Sequence, residues 1–91
     1  MVNEVYDPAT DTWETKTPIP TLRRGVGANV VNGKIYAIGG IAENTQLGTN
    51  EEYDPATDTW TYKKPMPTPR DRFGIAVYNN KIYCIGGDVP G

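Results

Sequence analysis

Apolar residues in this chain come in short runs, each cut off by Gly, Pro, Asn or Asp. The run "GVGANVV" (residues 25–31) is small and β-branched, which suits a buried strand. "NG" follows at 32–33, then "KIYAI" at 34–38. Two apolar runs joined by Asn-Gly predict a hairpin, because both turn residues take positive φ. Further on, "FGIAVY" (73–78), "NN" and "KIYCI" (81–85) repeat the arrangement, and Asn also tolerates the left-handed region. Between the hairpins lie a polar loop "IAENTQLG", a strand "TNEEYD", a "PATD" turn and a strand "TWTYKK". In that turn Asp54 is placed to accept from a backbone N–H ahead of it, and Pro55 presets φ. "PMPTP" then breaks the ladder before the next hairpin. No stretch carries apolar residues at helical spacing, and Pro or Gly interrupts every window of helical length. The pattern predicts an all-β chain built of four-stranded antiparallel meanders.

The pattern also repeats. "YDPATDTW" stands at residues 6–13 and again at 53–60. When Asn3–Gly40 is aligned with Asn50–Gly87, 24 of the 38 pairs are identical. That degree of identity marks a repeated structural unit rather than shared propensity, and it fits either recent duplication or consensus design.

Composition narrows the function classes. A chain of 91 residues makes one small domain with a modest core. The net charge of −2, from 9 basic and 11 acidic residues, argues against nucleic-acid binding by bulk charge. No apolar run approaches the ~20 residues of a membrane helix. The opening "MVNEVYDP" lacks the basic-then-apolar pattern of a secretory signal, so a cytoplasmic location is the default expectation. Cys84 is the only cysteine, which excludes a disulfide within one chain. The chain has no His and no Ser, which removes most nucleophile–base pairs and the commonest metal ligand. The expectation is a protein without catalytic residues, cofactor or metal.

Several residues then fall into one signature. Gly pairs close the second strand of each unit, Gly39-Gly40 and Gly86-Gly87. Tyr6 precedes Trp13, and Tyr53 precedes Trp60, with the same spacing. Arg23 and Arg70 stand just before the first strand of each unit. This combination resembles the kelch repeat, and the resemblance covers nearly the whole chain. It implies blades of a β-propeller, in which the Gly, Tyr and Trp positions are architectural. Each Trp is expected to wedge between blades, and each Gly pair to admit a close backbone or a positive φ.

Taking the unit as strands one to four, the chain runs three-four, one-two-three-four, one-two. Residues 1–24 are half of a split blade, 25–64 a complete blade, and 65–91 the other half of a split blade. Propellers use roughly four to eight blades, so two cannot be the whole object. The second strand of one copy (Lys81–Ile85) is expected to pair with the third strand of the next (Val2–Tyr6). Head-to-tail contacts close into rings when the rotation fits. Kelch domains commonly have six blades, so the expectation is a homotrimer forming one six-bladed ring, with a dimer or tetramer as the other closures.

The meander sorts charge between the two faces of such a ring. One face carries Asp7, Asp11, Asp54 and Asp58 against Lys34 and Lys81; the other carries Lys16, Arg23, Arg24, Lys63, Lys64, Arg70 and Arg72 against Glu14 and Asp71, with Glu43 and Asp88 diluting its charge. Arg suits bidentate capture of carboxylate or phosphate. Arg23, Arg24, Arg70 and Arg72 are therefore candidate contacts for an acidic peptide or small anion. The competing reading has these side chains bracing backbone carbonyls between blades. Cys84, in the place of Ala37, reads as a small core residue. "DPATD" lacks the glycine and the alternating ligands of a calcium loop, and turn chemistry explains its carboxylates. The leading function class is a non-catalytic protein-interaction scaffold. An excised or designed module that only self-assembles is the first alternative. A kelch-type enzyme is the second, and it would need a metal or acid–base groups drawn from Tyr, Asp and Glu alone.

Overall fold

The structure, a computed structural model, describes residues 2–91. Ten strands follow one another: β1 (Asn3–Asp7), β2 (Thr12–Lys16), β3 (Gly27–Val31), β4 (Lys34–Ile38), β5 (Ile41–Ala42), β6 (Thr45–Gln46), β7 (Asn50–Asp54), β8 (Thr59–Lys63), β9 (Gly74–Tyr78) and β10 (Lys81–Ile85). Strands β3-β4-β7-β8 form one antiparallel sheet in that spatial order, the meander expected for residues 25–64. Strands β1-β2 and β9-β10 form separate two-stranded sheets.

The turn chemistry explains the strand ends. Asn32 and Gly33 take φ of 51° and 75°, and Asn79 and Asn80 take 50° and 59°. Both hairpins therefore turn with positive φ at each central position, which matches the twist of the flanking strands. At the other turns Ala9 N donates to Asp7 Oδ1 (2.9 Å) and Ala56 N to Asp54 Oδ1 (3.0 Å). The following Asp11 and Asp58 each sit at φ 55°. They are held by the Tyr6 and Tyr53 hydroxyls, which donate to their Oδ1 atoms at 2.6 Å. Each Tyr also packs on the Trp opposite it in register, with ring centroids 5.0 Å apart for Tyr6–Trp13 and 4.9 Å for Tyr53–Trp60.

The polar "IAENTQLG" segment is more ordered than its composition suggests. It folds into a small hairpin, β5 paired with β6, turning through Glu43 and Asn44 at φ 50° and 64°. Two-residue strands carry no readable alternation, and the backbone partners that fix this hairpin come from elsewhere in the chain. Arg24 and Ile41 exchange backbone hydrogen bonds of 3.0 and 2.8 Å, and Leu47 N donates to Gly40 O at 2.8 Å.

The core lies where the sheets meet the complete one. Ala37, Ile38 and Tyr53 are its buried apolar residues among those described. On one side, β9 packs against β3. Here Gly39, at φ +68°, lets the chain pass close: a Cβ there would stand 2.7 Å from Arg70 O and from Phe73 Cε1. Backbone bonds from Gly40 N to Arg70 O (3.0 Å), Arg70 N to Leu47 O (3.2 Å) and Met66 N to Gly48 O (2.8 Å) stitch the two units together. On the other side the contact runs through Thr17, just after β2. Thr17 N donates to Asp58 Oδ1 (2.9 Å), and Thr17 O accepts from Trp60 Nε1 (2.9 Å). Trp60 is half-buried and reaches across to the segment that follows β2. Trp13 is 67% exposed, because among the described residues nothing packs outside β1-β2. Among the described residues the outer edges of β1 and β10 have no strand beside them, and the two strands do not touch each other.

Candidate ligand-binding face

The connections β5–β6, the segment before β3 and the segment before β9 converge at one end of the sheets. Arg23, Arg24, Arg70 and Arg72 all lie on these connections, and the structure gives each a different surrounding.

Arg23 is buried. Its Nε donates to Gly39 O (2.6 Å), Nη2 to Ala37 O (2.8 Å) and Nη1 to Thr21 O (3.3 Å), and it forms an ion pair with Glu51. Glu51 is fully buried and accepts a further hydrogen bond from Thr21 Oγ1 at 2.9 Å. Four of the five N–H donors thus meet acceptors inside the sheet, and Arg23 braces carbonyls rather than presenting charge to solvent. Buried charges persist only when paired and hydrogen-bonded, as here.

Arg70 repeats the brace one unit later. Its Nη2 donates to Cys84 O and its Nη1 to Gly86 O, both at 2.9 Å, and its guanidinium lies 5.5 Å from the Phe73 ring centroid. Arg72 is exposed but neutralised: Nε lies 3.5 Å from Asp71 Oδ2, and Nη2 pairs with Asp88. Arg24 is exposed and makes no ion pair among the described residues. It borders a cleft of about 420 Å³ lined by Leu22, Arg23, Arg24, Ile41, Ala42 and Glu43. A second hollow of about 210 Å³ lies between Arg24 and Arg72. Of the four candidates, Arg24 holds the charge most open to an anionic group, and the exposed Leu22 beside it offers apolar surface.

The Gly39-Gly40 pair is enclosed at the blade junction, while Gly86-Gly87 lies exposed at the free edge. Cys84 is half-buried, and burial pushes its thiol above the ordinary value. It occupies the position of the buried Ala37 in a sheet that lacks the outer strands. Glu51 was legible only indirectly. It shares the inward face with Tyr53 because strand residues two apart point the same way, and a lone inward acid calls for a basic partner.

Comparisons with known proteins accord with this geometry. A family model described as the Kelch motif matches residues 22–67. Kelch-like protein 1 of Mus musculus is 42% identical over 46 residues, which are 50% of this chain and 6% of that protein. Kelch-like protein 7 of Homo sapiens is 49% identical over 37 residues, 41% of this chain and 6% of that protein. The chain thus spans a small fraction of the curated relatives it matches. A solved structure described as "Structure of YjhT" superposes with a TM-score of 0.78 at 24% identity, covering 84% of this chain and 24% of that one. The motif match runs from the segment before β3 to the segment after β8, so it contains the complete sheet, and the chain belongs to the kelch-repeat family of β-propeller proteins.

Proposed function

We propose that the chain is a non-catalytic interaction module that completes itself head to tail, one copy supplying the strands that another copy needs. The observation that carries this reading is a contrast between repeat-equivalent residues. Tyr53 is 5% exposed in β7 and its equivalent Tyr6 is 42% exposed in β1; Ile38 is 5% exposed in β4 and its equivalent Ile85 is 66% exposed in β10. The covered members of both pairs belong to strands that lie side by side in the complete sheet. The exposed members lie on the two open edges, which are templates for strand addition. Burying each such side chain contributes about 1.5–3 kcal/mol. A heterologous contact of this kind closes into a ring, and three copies give six blades.

On such a ring the connection face repeats around the axis, and Arg24 with its cleft is the contact for an acidic peptide. Arg24→Glu is expected to abolish binding of an acidic peptide without changing assembly. The self-association is tested by the mass of the 91-residue chain in native buffer. Three chains of 10.0 kDa give about 30 kDa. A single well-folded 10 kDa species at high micromolar concentration would refute it.

A further inference from the structure

We propose that β1 of a second copy docks along the open edge of β10, and that its Glu4 enters a half-built carboxylate site around Arg70. This rests on the head-to-tail reading above and specifies the joint. The protein already contains the finished form. In the complete sheet Arg23 holds the carbonyls of Ala37 and Gly39 and pairs with Glu51, which also takes the Thr21 hydroxyl. A shift of 47 positions turns these residues into Arg70, Cys84, Gly86, Glu4 and Thr68. Arg70 holds the equivalent carbonyls of Cys84 and Gly86, but through Nη2 and Nη1 where Arg23 uses Nη2 and Nε; no carboxylate among the described residues pairs with it, and its Nε, the atom that bonds the glycine carbonyl in the finished site, is buried without a hydrogen-bond partner. An orphaned buried donor is costly, so the site favours an incoming acceptor. Glu4 sits exposed on β1 with no ion pair among the described residues.

The register follows from the same shift. Strand β7 pairs with β4 as Ile35↔Tyr53, Tyr36↔Glu52, Ala37↔Glu51 and Ile38↔Asn50. The joint therefore sets Ile82 opposite Tyr6, Tyr83 opposite Val5, Cys84 opposite Glu4 and Ile85 opposite Asn3 of the second copy. One contact does not transfer. Tyr36 donates to Glu52 at 2.6 Å, whereas its equivalent Tyr83 meets Val5. The Arg70–Glu4 pair is then the charged contact that fixes register, since a slip by one residue turns Glu4 to the opposite face.

The test measures the association constant of the 91-residue chain by sedimentation at graded concentrations. Glu4→Gln is compared with Glu14→Gln, which removes the same charge from the adjacent strand β2. Glu4→Gln is expected to weaken association about tenfold or more, while Glu14→Gln stays within about twofold. Melting of the dissociated chain is expected to be the same for Glu4→Gln and the unsubstituted chain, since the carboxylate makes no ion pair among the described residues of its own copy. An unsubstituted chain that assembles but is indifferent to Glu4→Gln overturns this joint alone. An unsubstituted chain that stays at 10 kDa overturns the self-association reading and the joint with it.

Discussion

The Arg23–Glu51 pair sets the most demanding prediction. Replacing Glu51 with Gln keeps the volume and one acceptor, but removes the buried carboxylate that pairs with the Arg23 guanidinium. Thr21, Gly39 and Ala37 still supply oxygens to it, yet neutral carbonyls do not compensate a full charge in a site closed to water. Removing one partner of such a pair costs about 3–5 kcal/mol, against about 0–1 kcal/mol for an exposed pair. A small domain has about 5–15 kcal/mol in total, so the loss is a large share. At about 4–8 °C per kcal/mol for a domain of this size, the melting temperature falls by about 12 °C or more. Thermal and urea melts read by tryptophan fluorescence report it, since Trp60 bridges the two sheets through Thr17. A double-mutant cycle with Arg23→Met separates the pair from its surroundings: the double variant is expected to be less damaged than the two singles added, by about 2 kcal/mol. A Glu51→Gln loss below about 1 kcal/mol, or strict additivity in the cycle, would refute the claim that this ion pair is desolvated and coupled.

Three further outcomes follow from the geometry. Gly39→Ala is expected to cost several kcal/mol by chemical denaturation, since its Cβ would meet Arg70 O at 2.7 Å from a φ of +68°, whereas Gly33→Asn, which copies the second repeat at an open turn, stays within about 0.5 kcal/mol. Trp60→Phe loses the hydrogen bond to Thr17 O and about 1 kcal/mol more than Trp13→Phe does in the dissociated chain, measured by paired urea melts. In pH titration of stability, burial and then the Asp58 hydrogen bond push the Tyr53 phenol up to about 12. The unfolded phenol ionises near 10, so stability is full below about pH 10 and falls as pH rises towards 12. On the acid side the Tyr53 hydroxyl, and then Thr17 N–H, hold Asp58 below its ordinary 3.8, so its contribution is present above that value and is lost as pH falls further. Tyr53→Phe is expected to flatten both limbs.

Much of the fold was local and therefore legible. The Asn-Gly and Asn-Asn turns, the Asx bonds of Asp7 and Asp54, and the facing Tyr and Trp are fixed by residues within a few positions of one another. The duplication carried the unit boundaries and the meander order, because one octapeptide marks the same corner twice. What escaped the sequence depends on contacts between distant segments. The β5–β6 hairpin is held by Arg24 and by Gly40, and two-residue strands leave no periodic trace. The four arginines look equivalent in a string of letters, yet Glu51 and the carbonyls of Ala37 and Gly39 engage Arg23 inside the sheet, Cys84 and Gly86 take Arg70, Asp71 and Asp88 engage Arg72, and Arg24 stays exposed with no ion pair among the described residues. The sequence by itself determined strands, turns and repeat, since each is a short-range preference written in adjacent residues. Tertiary structure alone decided which identical residue is covered and which is bare: burial is a property of neighbours, and Tyr53 has a strand on each side where Tyr6 has only one.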